Sequence, residues 1–381
     1  MKPHAIVGNV LAPEPLGRTA VIIEEGRISD VVRSPRQAEL PSERREVSGF
    51  ICPGFVDLQI NGAFGIDVAL DPEALKALAR ALPRTGTTSF LPTLISSPKE
   101  VYTDFLDAVV EASRSSGSWI LGAHLEGPFL SPARKGAHDP ANLLTVDLGL
   151  AKEFIRSGVV RMVTLAPELH DAREAVRLFL EGGVVPSAGH TDATYEETLR
   201  AMDSGLRMGT HLYNAMSPFA HRAPGAVGAM LADARARAGI IVDGVHSHEG
   251  ALRVAYRQKG AEGLALVTDA MEAAGMSSGE YELNGRKVRL EDGAVRLPDG
   301  TLAGSALTMD VAVHNAARML QIPLHDAVRM ATQTPAEILG MPAKGRITPG
   351  ADADLVVLGQ EGRIEETIVG GEPAYRREDT P

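Results

Sequence analysis

Residues 184–211 read VVPSAGHTDATYEETLRAMDSGLRMGTH, and this stretch decides the fold. A short apolar run from Val184 to Ala188 leads to His190. Tyr195 to Met202 then carries a helical pattern that Gly205 closes, and a second short run leads to His211. This is one β–α step that delivers an imidazole at the downstream end of each of two successive strands.

The same beat runs through the middle of the chain. Apolar strand candidates end near Asn61, Thr93, Glu126, Ala166, His190, His211, Asp243 and Asp269. Eight such strands, with helical patterns in several of the intervals, predict a (β/α)8 TIM-like barrel. An open doubly wound sheet is the alternative, but Gly54, Gly62 and Gly65 do not form the Gly-rich phosphate turn usual after its first strand. The ends differ in style. Ala20–Ile23, Ile28–Val32, Ala353–Leu358 and Ile364–Val369 read as short strands with glycine punctuation. Residues 1–50 and 346–381 are therefore expected to pair into one small β-sandwich-like domain, with the barrel over 51–345. Residues 277–303, SSGEYELNGRKVRLEDGAVRLPDGTLA, alternate apolar positions between glycines and predict a β insertion near the barrel rim.

In a barrel of this kind the C-terminal strand ends form the active face. Glu126, His190, His211 and Asp269 then converge although they are far apart in sequence. A lone histidine at a strand end is more often a hydrogen-bonded structural residue, but two with a glutamate make a first shell for a divalent metal. A metal so held lowers the pKa of water toward neutrality, and Asp269 is suited to take that proton and hand it on. The first strand ends in Gln59-Ile60-Asn61, good hydrogen-bonding groups and poor metal ligands, and no lysine ends the fourth strand. One metal ion per subunit is expected, zinc foremost, with iron, manganese and cobalt also suited.

Composition narrows the partners. The 381 residues carry 49 acidic and 38 basic side chains, a net charge of −11, which argues against nucleic acid or an anionic membrane as partner. No apolar run is long enough to span a bilayer, and the start lacks a basic, apolar leader, so a cytoplasmic protein is expected. Cys52 is the only cysteine and reads as a small buried hydrophobe.

The motifs PGFVDLQING (53–62), HLEGPFLSPARKGAH (124–138), AGHTDA (188–193), THLYNAM (210–216), RAPG (222–225), DGVH (243–246) and VTDA (267–270) resemble the N-acetylglucosamine-6-phosphate deacetylases of the amidohydrolase superfamily. GRITPGADADLVVL (345–358) is similar to a terminal strand region shared more widely there. The resemblance implies an enzyme of amino-sugar catabolism or recycling that hydrolyses the acetamide of N-acetyl-D-glucosamine 6-phosphate. It implies Glu126, His190 and His211 as metal ligands and Asp269 as the catalytic acid and base. His138 would hydrogen-bond the acetamide carbonyl. Arg222, His246 and the backbone around Asn214 and Ala215 would hold the phosphate, with Gln59 and Asn61 also facing the substrate. It further implies a homodimer in which Arg222 reaches the neighbouring subunit's site. Two positions depart from the pattern: Asp139 stands where asparagine is expected, and Ala223 where an acidic residue is frequent. Rival readings are another amidohydrolase, such as an N-acyl-amino-acid deacylase, and a catalytically silent barrel.

Overall fold

The computed structural model of the protein describes residues 3–11, 14–69, 72–359 and 362–377. Its centre is a sheet of eight parallel strands: β1 (Phe55–Ile60), β2 (Thr87–Ile95), β3 (Ala123–Glu126), β4 (Val160–Leu165), β5 (Val185–Ala188), β6 (Met208–Gly209), β7 (Arg237–Ile240) and β8 (Leu264–Leu266). Each pairs with its successor in chain order. The sheet closes on itself just past β8, where Ile60 and Ala270 form a parallel bridge. There the Asn61 amide donates to the Ala270 carbonyl (2.7 Å) and the Asp269 amide to the Gln59 carbonyl (2.9 Å). The seam of the (β/α)8 barrel thus lies beside the residues singled out for chemistry.

The opening stretch shows how local sequence sets these elements. Helix Tyr195–Asp203 starts at a capping box: Thr194 Oγ1 accepts from the Glu197 amide (3.2 Å), and the Glu197 carboxylate accepts from the Thr194 amide (2.8 Å). Ala201 and Met202 turn inward with no exposure. A fully buried side chain of methionine size contributes about 1.5–3 kcal/mol.

Paired strand structure ends earlier than the apolar runs predict. β5 stops at Ala188, β6 at Gly209 and β8 at Leu266. The reason is backbone conformation. His190, His211 and Asp269 have φ of 47°, 32° and 49°, left-handed values that leave the strand and turn each side chain over the barrel mouth.

Both chain ends build a second sheet of seven strands, in the order Glu372–Arg376, Ile364–Val369, Leu355–Leu358, Glu43–Pro53, His4–Leu11, Pro15–Glu24, Arg27–Arg33. Glu43–Pro53 pairs in parallel with the first strand and antiparallel with Leu355–Leu358, so it ties the two termini together. Ile6, Val21, Ile23, Ile51, Leu355 and Ile368 form its separate core. Within 277–303, the strands Gly279–Leu283, Arg286–Glu291 and Ala294–Arg296 make a three-stranded antiparallel sheet. Its buried face (Leu283, Val288, Leu290, Val295) packs on Ile95 and Met271, above the barrel mouth.

Candidate active site

Glu126 ends β3 and is 3% exposed. Its Oε1 lies 2.8 Å from His211 Nε2 and 3.1 Å from His190 Nε2, and the two imidazole nitrogens are 3.1 Å apart. The His190 ring is oriented from behind: Nδ1 donates to the Arg134 carbonyl (2.9 Å), so the neutral ring presents the Nε2 lone pair forward. A lone pair facing a carboxylate oxygen at 3.1 Å is repulsive unless a cation lies between them. The spacing suits one: bonds of about 2.0–2.1 Å in tetrahedral array put neighbouring donors about 3.3 Å apart. This donor set therefore fits a divalent metal ion.

Donor atoms of Glu126, His138 and His190 also fall within 4.8 Å of one another. His138 does not belong to the shell, because its Nδ1 accepts from the Ser96 amide (3.2 Å). The neutral ring then carries its proton on Nε2, the nitrogen that faces Glu126 Oε2 at 4.0 Å. A donor aimed into the site is left, and the tighter set with His211 remains as the candidate ligand cluster. Burial holds the His138 pKa well below the usual histidine range.

Asp269 stands beside this cluster and is 8% exposed. Its Oδ1 accepts from Gln59 Nε2 (3.1 Å) and Asn61 Nδ2 (3.0 Å), while Oδ2 has no hydrogen bond among the described residues. Gln59 uses the same amide nitrogen to reach Glu126 Oε1 (3.1 Å). One neutral amide thus bridges the two carboxylates. Burial pushes the Asp269 carboxyl up to about 7, and the negative charge of Glu126 adds to the rise. Glu126 goes the other way: burial would raise it, but its place against the His190 and His211 rings outweighs that and holds it well below the carboxylate range. Two carboxyl groups driven apart in this fashion are suited to different tasks, one to hold a cation and the other to carry a proton. Beneath them, buried Asp57 accepts from Thr268 Oγ1 (2.5 Å) and fixes the residue before Asp269. Burial raises its pKa to about 7.

Glu126, His138, His190, His211 and Asp269 line a cavity of about 370 Å³, shared with Asn61, Asn214, Ala215 and His246. His246 is turned by Asp243, whose Oδ2 accepts from Nδ1 (2.6 Å). After β6, Tyr213 and Ala215 have φ of 80° and 48°. The Asn214 amide there is taken by the His211 carbonyl (2.9 Å), whereas the Ala215 amide has no acceptor among the described residues. Two expected substrate contacts do not line this cavity: Gln59, whose amide is spent on Glu126 and Asp269, and Arg222. Arg222 is the more distant case. It is exposed, lies in a short bend between Ala220 and Ala223, and does not line the cavity of its own chain. Sequence reasoning assigned no role to Ile95, Ala133, Arg134, Gly136, Ala137, Leu283, Thr301, Leu302 and Gly304, which complete the wall. Ala133, Arg134, Gly136 and Ala137 fall in the quoted 124–138 motif, and Leu283, Thr301 and Leu302 in the predicted 277–303 insertion, but no role was read for any of them. A larger hollow of about 760 Å³ across the insertion, lined by Glu280, Lys287, Glu291 and Arg296 among others, contains no histidine.

Acidic and imidazole donors gathered at the C-terminal mouth of a closed parallel barrel define a metal-dependent barrel hydrolase. The chain belongs to the amidohydrolase family, whose sequence model matches residues 50–374. It is 36% identical over 379 residues to an N-acetylglucosamine-6-phosphate deacetylase of Lysinibacillus sphaericus, covering 96% of each chain. It is 39% identical over 365 residues to an N-acetylgalactosamine-6-phosphate deacetylase of Shewanella, covering 94% and 92%. Among solved structures it is similar to a mutant N-acetyl-D-glucosamine-6-phosphate deacetylase of Mycobacterium smegmatis in complex with N-acetyl-D-glucosamine 6-phosphate. The TM-score is 0.91, with 33% identity and 98% of both chains covered.

Proposed function

We propose that this enzyme hydrolyses the acetamide of N-acetyl-D-glucosamine 6-phosphate, giving acetate and glucosamine 6-phosphate. The observation that carries the reading is the free Oδ2 of Asp269 beside the convergent Glu126, His190 and His211 donors. Glu126, His190 and His211 would hold one metal ion, for which zinc suits the two-imidazole, one-carboxylate shell. When bound, that ion polarises the amide carbonyl and acidifies water. Asp269 Oδ2 takes a proton from the attacking water and returns it to the departing nitrogen, while Gln59 and Asn61 hold Oδ1 still. The Nε2–H of His138 donates to the carbonyl oxygen as negative charge develops on it. Asn61 Oδ1 is buried without a partner among the described residues and is available to a substrate N–H or hydroxyl.

At the other end of the cavity, His246 and the Ala215 amide bind the phosphate. Arg222 completes that site from a second copy of the chain in a homodimer, a reading supported by its exposure on its own subunit. The enzyme works in the cytoplasm, where the charge of a sugar phosphate retains it. Initial rates on N-acetylglucosamine 6-phosphate, its galactosamine epimer and N-acetylated amino acids test the assignment. The reading expects the first to be turned over with the highest kcat/KM. Preference for acetylated amino acids would overturn it, and preference for the epimer would reassign the sugar alone.

A further inference from the structure

The insertion after β8 reaches back across the barrel mouth. Its first hairpin turns on Asn284 and Gly285, with φ of 48° and 74°, the left-handed pair of a two-residue primed turn. From this tip the Asn284 amide donates to Asp67 Oδ2 (2.7 Å), and the Asn284 side chain donates to Ser97 Oγ (2.9 Å). Arg286 Nη1 donates to the carbonyl of Ala137, the residue before His138. Leu283 packs with Ile95 and forms part of the cavity wall. The loops that follow β1, β2 and β3 are thereby joined to one hairpin.

His138 sits between two of these attachments. Ser96, just past β2, holds its Nδ1, and Arg286 holds the carbonyl of its chain neighbour. No carboxylate lies within ion-pair distance of Arg286 among the described residues, and the Ala137 carbonyl is its hydrogen-bond acceptor there. We propose that Arg286 is a positioning residue for the deacetylation, gripping the Ala137 carbonyl so that His138 Nε2–H stays aimed at the reacting amide. The proposal rests on the deacetylase reading above. Arg286 touches no substrate in this account; it acts through His138.

The test compares Arg286→Ala, Arg286→Lys and Arg289→Ala in the full-length, metal-loaded enzyme. Arg289 lies on the same strand, is exposed and pairs with Glu291 at 3.5 Å. Complete loss of an oxyanion donor costs about 10²–10³ in kcat, so its misplacement in Arg286→Ala is expected to cost about tenfold to a hundredfold. KM, bound metal and melting temperature stay near those of the parent. Arg286→Lys regains most of the kcat, and Arg289→Ala matches the parent throughout. An unchanged kcat, a rise in KM alone, or a kcat loss that tracks lost metal or lost folded protein would overturn the proposal. The His138 ring resonances supply a readout independent of substrate. They shift in Arg286→Ala and not in Arg289→Ala if the proposal holds, and stay put in both if it does not. A parent inactive on the sugar phosphate would instead refute the deacetylase reading.

Discussion

Replacing Gln59 with methionine removes one buried amide while keeping side-chain volume nearly constant. In the parent, Gln59 Nε2 is 3.1 Å from both Asp269 Oδ1 and Glu126 Oε1. Asn61 still donates to Asp269 at 3.0 Å after the change. The lost bond is one that favours the charged form of Asp269, a group that burial and the Glu126 charge have already pushed up to about 7. Its pKa therefore rises further. A hydrogen bond to a charged group contributes about 1.5–3 kcal/mol, and one pKa unit is about 1.4 kcal/mol, so the expected rise is about 1–2 units. The direction in activity follows from the proposed role of Asp269 as base. Below its pKa the carboxyl is protonated and idle, so the acid limb of kcat/KM moves to higher pH by the same amount. Well above that limb the variant approaches the parent. The assay is kcat/KM from pH 5 to 9, with bound metal measured on the same samples because Gln59 also touches a ligand. An acid limb that stays in place while metal content is intact would refute the bridging role of Gln59.

Three further outcomes are expected. Asp269→Asn lowers kcat by about 10²–10⁴ through loss of the proton carrier, with substrate affinity kept; near-normal turnover in steady-state assays contradicts the role. Arg222→Ala weakens the phosphorylated sugar by about tenfold or more and the unphosphorylated sugar far less; mixed dimers of Arg222→Ala with Asp269→Asn recover activity only if the arginine serves its neighbour. Asp57 has a folded-state pKa of about 7 against an ordinary 3.8, so its ionisation favours the unfolded chain and stability falls as pH rises through that window. Asp57→Asn removes this dependence, and thermal melts at pH 5 and pH 8 differ less in the variant than in the parent; equal slopes contradict it.

The four polar residues that follow the apolar runs were legible in sequence because barrel topology converts their spacing into one rim. Their exact exit was not. His190, His211 and Asp269 leave the ladder through left-handed backbone that no apolar pattern reports. That Gln59 and Asn61 are hydrogen-bonding groups rather than metal ligands was readable, but their hold on a single oxygen of Asp269 needed three dimensions. The proton positions on His190 and His138 depend on the Arg134 carbonyl and the Ser96 amide, backbone groups that carry no sequence signature. The insertion was visible as alternation between glycines, yet its contacts with Asp67, Ser97 and Ala137 lie about 150–220 positions away along the chain. Arg222 was found by motif alone, and its place on the exposed face of its own chain is a property of the fold.

The most direct test is the rate of acetate release from N-acetylglucosamine 6-phosphate by the chelated enzyme as zinc is added back. Activity is expected to be lost on chelation and to return in proportion to bound zinc, saturating at one ion per chain, with no return in a variant lacking His190 or His211. Full activity in protein shown to hold no metal would contradict the account.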